Sequence, residues 1–348
     1  MNQVLILGAS YGSLFATKLL LAGHRVRLVC LPDVAELIAN EGTRVRVPVQ
    51  GRDELLELDS RDLPGQLSAS VPSAVDPTGY DLAVLAMQEP QYRSDDVRAL
   101  LTRVAAARVP CLSIMNMQPL PFLARIPGIA VDALRDCYTD ASVWDPIDPV
   151  LLTHCSADPQ ASRVPDAPQN VIQVRLPTNF KAAQFERREQ SSVLLGLAAS
   201  VEAARLDTGS TRVNVPVKLK VHDSVFVPLA KWPMLITGNY RCIGRDDVRS
   251  IEAAVHADLE ASRRIYQWVL GLCRSVGATV QDAVPFERYA AAATALKAPA
   301  SVARAIAAGA TRIERVDRLV QAIAAQHGAR LAELDEIVAT VDGRLARA

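Results

Sequence analysis

The chain opens on an unbroken apolar run, Val4-Leu5-Ile6-Leu7, which stops at Gly8 and resumes through Leu14, Phe15, Leu19, Leu20 and Leu21. A short apolar run bounded by glycine reads as a strand buried on both faces, and the segment after it as a helix. Residues 24–30 form a second apolar strand. Strand, glycine turn, helix and strand in this order predict a βαβ unit, whose helix N-terminus offers backbone N–H groups to a pyrophosphate. The glycine fingerprint G-x-G-x-x-G is incomplete, reading Gly8-x-Ser10-x-Gly12-Ser13, one residue short.

Farther on, residues 34–40 pattern as a helix, and 44–49 and 54–58 alternate as strands. The Pro/Ser/Gly-rich stretch 64–79 reads as a loop. Residues 82–86 are a fully apolar strand, 96–106 a crossover helix and 109–115 the next strand. Further strands are expected at 133–137, 150–155 and 171–176, with 156–169 as a surface connection. From residue 181 the character changes, and helices are expected at 191–205, 225–239, 248–276, 286–296, 301–327 and 331–341. The pattern predicts an α/β protein: a Rossmann-type dinucleotide-binding domain at 1–205, then an all-helical domain at 206–348. The boundary falls near 205–215, and the cleft between the domains is the default site.

With 348 residues the chain is long enough for two cores. Its 38 basic and 38 acidic residues cancel, so no field of one sign argues for nucleic acid or an anionic membrane. No run reaches the roughly 20 apolar residues that span a bilayer. The N-terminus begins on a core strand, so no signal peptide is expected. The six cysteines are scattered without a C-x-x-C pair, and Cys30 and Cys111 lie in apolar strands. A reduced, cytoplasmic protein is expected.

Lys231 and Asn239 stand eight residues apart in a mostly apolar stretch. On a helix they share nearly one face, about 12 Å apart along the axis. A lysine among apolar neighbours has its charged form disfavoured, which suits a proton donor. The competing reading is a snorkelling lysine at a helix start and an asparagine near a helix end beside Gly238. Pro233 requires the helix to start near Trp232 or to kink there. Asn116 follows the strand ending at Met115, at the carboxyl edge where such sheets hold ligands, or serves only as a turn residue. His222-Asp223-Ser224 names hydrolase residues, but adjacent residues cannot assemble a relay. No two histidines lie at metal-ligand spacing.

These parts, in this order, resemble the ketopantoate reductase (2-dehydropantoate 2-reductase) family, whose fold is 6-phosphogluconate-dehydrogenase-like. The matching elements are Gly12-Ser13-Leu14-Phe15-Ala16, Glu41-Gly42, Asn116, Lys231 with Asn239, and Thr311-Arg312-Ile313-Glu314-Arg315-Val316-Asp317 ahead of His327-Gly328. The resemblance covers most of the chain as a divergent member. It implies NADP(H) as cofactor, with NAD not excluded, and hydride transfer to a 2-oxo acid. Lys231 would protonate the forming alkoxide, and Asn116, Asn239, Ser301 and Arg312 would contact a small carboxylate substrate. Gly8, Ser10, Tyr11, Gly12, Ser13, Leu31, Met87 and Asn116 would line the cofactor, with Gly12 letting backbone approach phosphate. A homodimer through the helical domain is implied as well.

The departures from the family pattern fall on the substrate and cofactor walls. Leu31 replaces the basic residue expected after the second strand, Met87 a lysine, and Leu235 a second asparagine. Counted without gaps, the substrate-binding glutamate of a Thr-Glu-Ile-Asp stretch becomes Arg312, and Glu314 takes the aspartate's place. An altered pocket favouring a more acidic 2-oxo acid is therefore expected. An opine-type dehydrogenase, or a nucleotide-binding scaffold without turnover, remains the alternative.

Overall fold

The computed structural model describes residues 1–209 and 211–347. It divides into two compact units: Met1–Met87, Gln91–Met115 and Val143–Asp223 form the first, and Gln88–Pro90, Asn116–Ser142 and Ser224–Ala348 the second.

The strands of the first unit begin with β1 (Gln3–Leu7), β2 (Arg25–Val29), β3 (Arg44–Val47), β4 (Leu56–Asp59) and β5 (Gln66–Ser70). Then come β6 (Leu82–Leu85), β7 (Cys111–Met115), β8 (Leu152–Ser156), β9 (Gln160–Arg163) and β10 (Val171–Leu176). The last are β11 (Phe180–Ala183), β12 (Leu206–Asp207), β13 (Arg212–Val213) and β14 (Leu219–His222). The main sheet runs β5-β2-β1-β6-β7-β8-β11-β14. Its first six strands are mutually parallel, which is the 3-2-1-4-5-6 order of a Rossmann sheet. β11 then runs antiparallel to β8 and parallel to β14. A second sheet, β4-β3-β10-β9, packs on the same core.

Central strands are apolar because both faces are covered: every residue of β6 and β7 is buried. The helix α1 (Tyr11–Leu21) buries everything from Gly12 to Leu21, Lys18 included. The Lys18 ammonium donates to the carbonyls of Val215 and Pro216 at 2.9 and 3.0 Å, and burial pulls its pKa down to about 7. Those carbonyls precede Val217, a β-branched residue held at φ +68°, so the lysine braces a strained turn.

The departures from the sequence pattern fall at edges. The expected loop 64–79 contains β5, an edge strand whose sequence QLSAS alternates but carries only one large apolar side chain, too weak a signal among the surrounding Pro, Ser and Gly. The 156–169 connection contains β9, paired with β10. Residues 133–137, expected as a strand, lie in 3₁₀ turns spanning Val131–Cys137, because strand pairing, absent there, is what holds so short an apolar run extended. β14 follows residue 205 yet completes the sheet, so the first unit runs on to Asp223. The boundary region 205–215 includes Ser210, which lies outside the described residues.

The second unit is helical. Its longest helix, Leu259–Ser275, is capped by the Asp258 carboxylate on the Ala261 N–H at 2.9 Å and buries Ile265, Tyr266, Val269 and Leu272. The expected helix 301–327 is two, Ser301–Ala307 and Val316–Gln326, separated by a loop. The segment around Lys231 changes pitch along its length. A 3₁₀ turn at Val227–Ala230 precedes α-helix at Lys231–Met234, a wide π turn at Leu235–Asn239 and a 3₁₀ turn at Tyr240–Cys242. Pro228 occupies the helix start, so the run begins before Trp232. The π turn has a local cause. The Tyr289 hydroxyl donates to the Met234 carbonyl at 3.0 Å and takes the space a Cβ on Gly238 would fill. A side chain inserted into the ladder widens it.

Candidate functional site

In the first unit, the carboxyl ends of β1 and β6 lie side by side at the point where the strand order reverses, the usual ligand crevice of such sheets. Gly8 sits there with φ +108°, and a Cβ on it would come within 2.7 Å of the Ala86 carbonyl and of Met87 Cγ. Only glycine fits, for both conformation and space. α1 starts three residues later, so its first-turn N–H groups surround the turn.

The other loop residues divide into outward and inward. Ser10 is exposed, and Tyr11 is half-buried with its hydroxyl on the Pro159 carbonyl at 2.9 Å. Ser13 is fully buried and donates its hydroxyl to Ala9 O at 2.6 Å, while its N–H reaches Ser10 O at 3.2 Å. Its side chain is therefore turned into the core and away from any phosphate. At Gly12 a Cβ would meet Ile6 Cγ2 at 2.7 Å and Ala86 Cβ at 3.3 Å, so close packing of helix on strand is by itself a requirement for glycine there. Leu31, after β2, is 69% exposed. Met87 is half-buried, its N–H on the Tyr92 hydroxyl at 3.2 Å.

In the second unit, side chains from four separate stretches converge. Glu314, at the end of the loop after Ser301–Ala307, is 1% exposed. Its carboxylate accepts from Asn116 Nδ2 at 3.2 Å and from the Glu89 backbone N–H at 3.3 Å. Burial raises its pKa to about 7, against the lowering effect of those donors. Glu89 is buried too and its pKa is raised by burial; its carboxylate takes the Thr139 N–H and hydroxyl at 3.0 and 2.9 Å. The Tyr240 hydroxyl donates to the Glu314 carbonyl and accepts from the Val316 N–H at 2.8 Å. Arg315 forks onto Asp317 at 2.9 and 2.8 Å and reaches Asp342 at 2.6 Å, anchoring the loop end.

Lys231 is 8% exposed, at the start of its helix. The next residue, Trp232, donates from Nε1 to Gln118 Oε1 at 2.8 Å, and Tyr138 donates to the Gln118 carbonyl at 2.5 Å. The helix beginning at Lys231 is thereby tied to the loop that carries Asn116. Asn239 is half-buried at the end of the π turn; the extra residue in that turn brings the eight-residue spacing closer to two whole turns. Ser301 is half-buried at the first position of its helix.

Arg312 lies in the loop, outside any helix, and is open to solvent; the acid two residues on, Glu314, is the one bonded to Asn116. Glu89, Gln118 and Tyr240 escape sequence reasoning; only the odd placement of Glu89 just past an apolar strand hints at them. All six cysteines are free thiols. Among the described residues no His/Cys/Asp/Glu group could hold a metal, and no helix is long and apolar enough to cross a membrane.

No protein-family model matches the sequence, and no curated protein matches it. Solved structures match in fold. A PanE/ApbA family ketopantoate reductase from Ralstonia eutropha JMP134 is 17% identical, with a TM-score of 0.65 and 99% of both chains covered. The 2-dehydropantoate 2-reductase from Methylococcus capsulatus is 15% identical, with a TM-score of 0.67 over 100% of this chain and 97% of that one. D-mandelate dehydrogenase, solved with NADH, is 12% identical at a TM-score of 0.62 over 99% of each. The class is thus a Rossmann-type α/β unit followed by a helical one. Within that class the chain shares the fold of the ketopantoate reductase structures, at identities of 15–17%.

Proposed function

We propose that the protein is an NAD(P)(H)-dependent reductase of a 2-oxo acid, NADP(H) being the first candidate. The supporting observation is the Trp232–Gln118 hydrogen bond, which joins the helix of a buried lysine to the loop of Asn116. The residues around Gly8 fit a dinucleotide: a glycine no other residue can replace, at a strand-order reversal, beside a helix N-terminus. Gly8, Ser10 and Tyr11 would hold the pyrophosphate, with Leu31 and Met87 against the rest of the cofactor. Leu31 offers neither an acid for ribose hydroxyls nor a cation for a 2′-phosphate. A bound nicotinamide supplies the hydride. Lys231 gives its proton to the oxygen that becomes alkoxide and stabilises the charge developing there. Asn116 and Asn239 orient the reactants, and Arg312 and Ser301 are candidates for the substrate carboxylate. A homodimer in the cytoplasm belongs to the same reading, and light scattering checks the assembly.

The direct test is a fluorescence titration with NADPH and with NADH, followed by a panel of 2-oxo acids that includes ketopantoate and dicarboxylates. Saturable binding and turnover of at least one acid are expected. Absence of dinucleotide binding by the folded protein overturns the reading.

A further inference from the structure

Asn116 is half-buried, whereas the acid behind it is wholly enclosed, so the amide is the accessible end of the pair. An ionised carboxylate can only accept hydrogen bonds. Glu314 takes the Asn116 side-chain N–H and the Glu89 backbone N–H. In the ionised form, above about pH 7, the amide nitrogen of Asn116 must face the carboxylate, which turns Oδ1 the other way. The carboxylate cannot swing off. Tyr240 clamps the loop on either side of Arg315, and the buried Arg315–Asp317 pair follows at once.

We propose that Glu314 is a positioning residue that locks Asn116 with its side-chain oxygen offered to the ligand. This rests on the reading above, in which Asn116 meets cofactor or substrate. It makes the position an acceptor for a neutral donor, a hydroxyl or an amide N–H. It also excludes a carboxylate, which would face an amide oxygen with a second anion behind it. Glu314 touches no ligand itself; it acts through the amide. The titratable groups around it are Glu89, whose own carboxyl is turned to Thr139, and Tyr240, whose hydroxyl is committed to backbone.

The test begins on the full wild-type chain, labelled with ¹⁵N and without ligand. The Asn116 side-chain NH₂ resonance, assigned by its loss in Asn116→Ala, should titrate with a midpoint near the value raised by burial to about 7. The titration should vanish in Glu314→Gln. An Asn116 side-chain resonance whose position and pH response are the same in the wild type and in Glu314→Gln overturns the proposal, because the amide then does not face this carboxyl. The second arm is a double-mutant cycle on kcat/KM. Glu314→Gln should cost about 100-fold, the scale of a misplaced contact, but almost nothing further in the Asn116→Ala background. Equal costs in both backgrounds mean that Glu314 contacts ligand directly, and the proposal falls. If the titration holds while Asn116→Ala leaves turnover intact, the lock stands and the reading of Asn116 as a ligand contact is what fails.

Discussion

Gly8 and Glu314 represent two ways of building a site. At Gly8 the requirement is on the backbone: a positive φ and a carbonyl where a Cβ would go, met by one residue and its immediate neighbours. At Glu314 the requirement is on the side chains of residues 116, 240 and 314 and the backbone N–H of Glu89, which are scattered along the chain. The first kind of site is fixed by local sequence and tolerates little substitution. The second is held by a network, in which a change at one residue is felt at another. Each unit also buries one titratable group to a pKa of about 7, a lysine in the first and a carboxyl in the second.

The sharpest way to break the contrast is at Lys231. If the second unit supplies the proton, Lys231→Ala lowers kcat by about 10²–10⁴-fold and leaves dinucleotide affinity nearly unchanged. Steady-state kinetics alongside the fluorescence titration checks it, and a loss under tenfold returns the lysine to a packing role. Next in size is Asp317, fully buried against Arg315. Asp317→Ala removes the fork that Arg315 makes at 2.9 and 2.8 Å and leaves the cation only Asp342, so it should cost about 2–3 kcal/mol in denaturant unfolding. A loss under 1 kcal/mol means that water reaches the pair.

The buried titratable groups predict opposite pH slopes. Glu314 has its folded pKa raised from 4.5 to about 7, so between those values the folded state keeps a proton that the unfolded chain has lost. Stability therefore falls as pH rises through that window, by on the order of 3 kcal/mol, and Glu89 adds to it with the same sign. Lys18 has its folded pKa lowered from 10.5 to about 7. The unfolded chain then holds the extra proton, and stability rises again above neutrality, before thiols and tyrosines ionise. His154, buried and lowered to about 3, contributes the opposite slope up to its unfolded value of 6.5, so the Glu314 contribution is read as a difference. Denaturation midpoints of Glu314→Gln should lack a fall between pH 4.5 and 7 that the wild type carries, with the rise from Lys18 above neutrality unchanged. A Glu314→Gln protein with the wild-type slope would assign that slope elsewhere.

The smallest effect belongs to the glycine turn. Gly12→Ala places a methyl against Ile6 and Ala86 and should destabilise by about 1–3 kcal/mol, as overpacking does. NADPH affinity of the variant that remains folded should hardly change, since this glycine serves helix packing. A selective loss of affinity at unchanged stability would assign Gly12 a phosphate role as well.

What could be read from sequence follows the same division. β1, β6 and β7 are legible because strands covered on both faces leave continuous apolar runs. β5, β9 and β14 are not, because an edge or outer strand is specified by the neighbour it pairs with more than by its own pattern. Ser13 and Gly12 were legible as parts of the turn but not as inward-facing, since direction depends on how α1 sits against β1. The position of Asn116 after β7 was visible as a strand end. Its partner was not: Arg312 and Glu314 are two residues apart in a loop, and only the folded chain decides which is enclosed.

The wide turn at Leu235–Asn239 has a consequence for measuring along this helix. An α-helix is a ruler with evenly spaced marks, and here one interval is stretched, because the Tyr289 hydroxyl occupies the space beside Gly238. Positions counted forward from Lys231 keep their spatial meaning only up to Met234. Leu235 stands where a polar residue was expected four places on, yet it begins the stretched interval and is buried. The same stretch changes the angle at which every later residue leaves the axis. Two chains can thus agree in count and differ in direction, or agree in direction at different counts, and comparison across this segment is meaningful in coordinates where it misleads in letters.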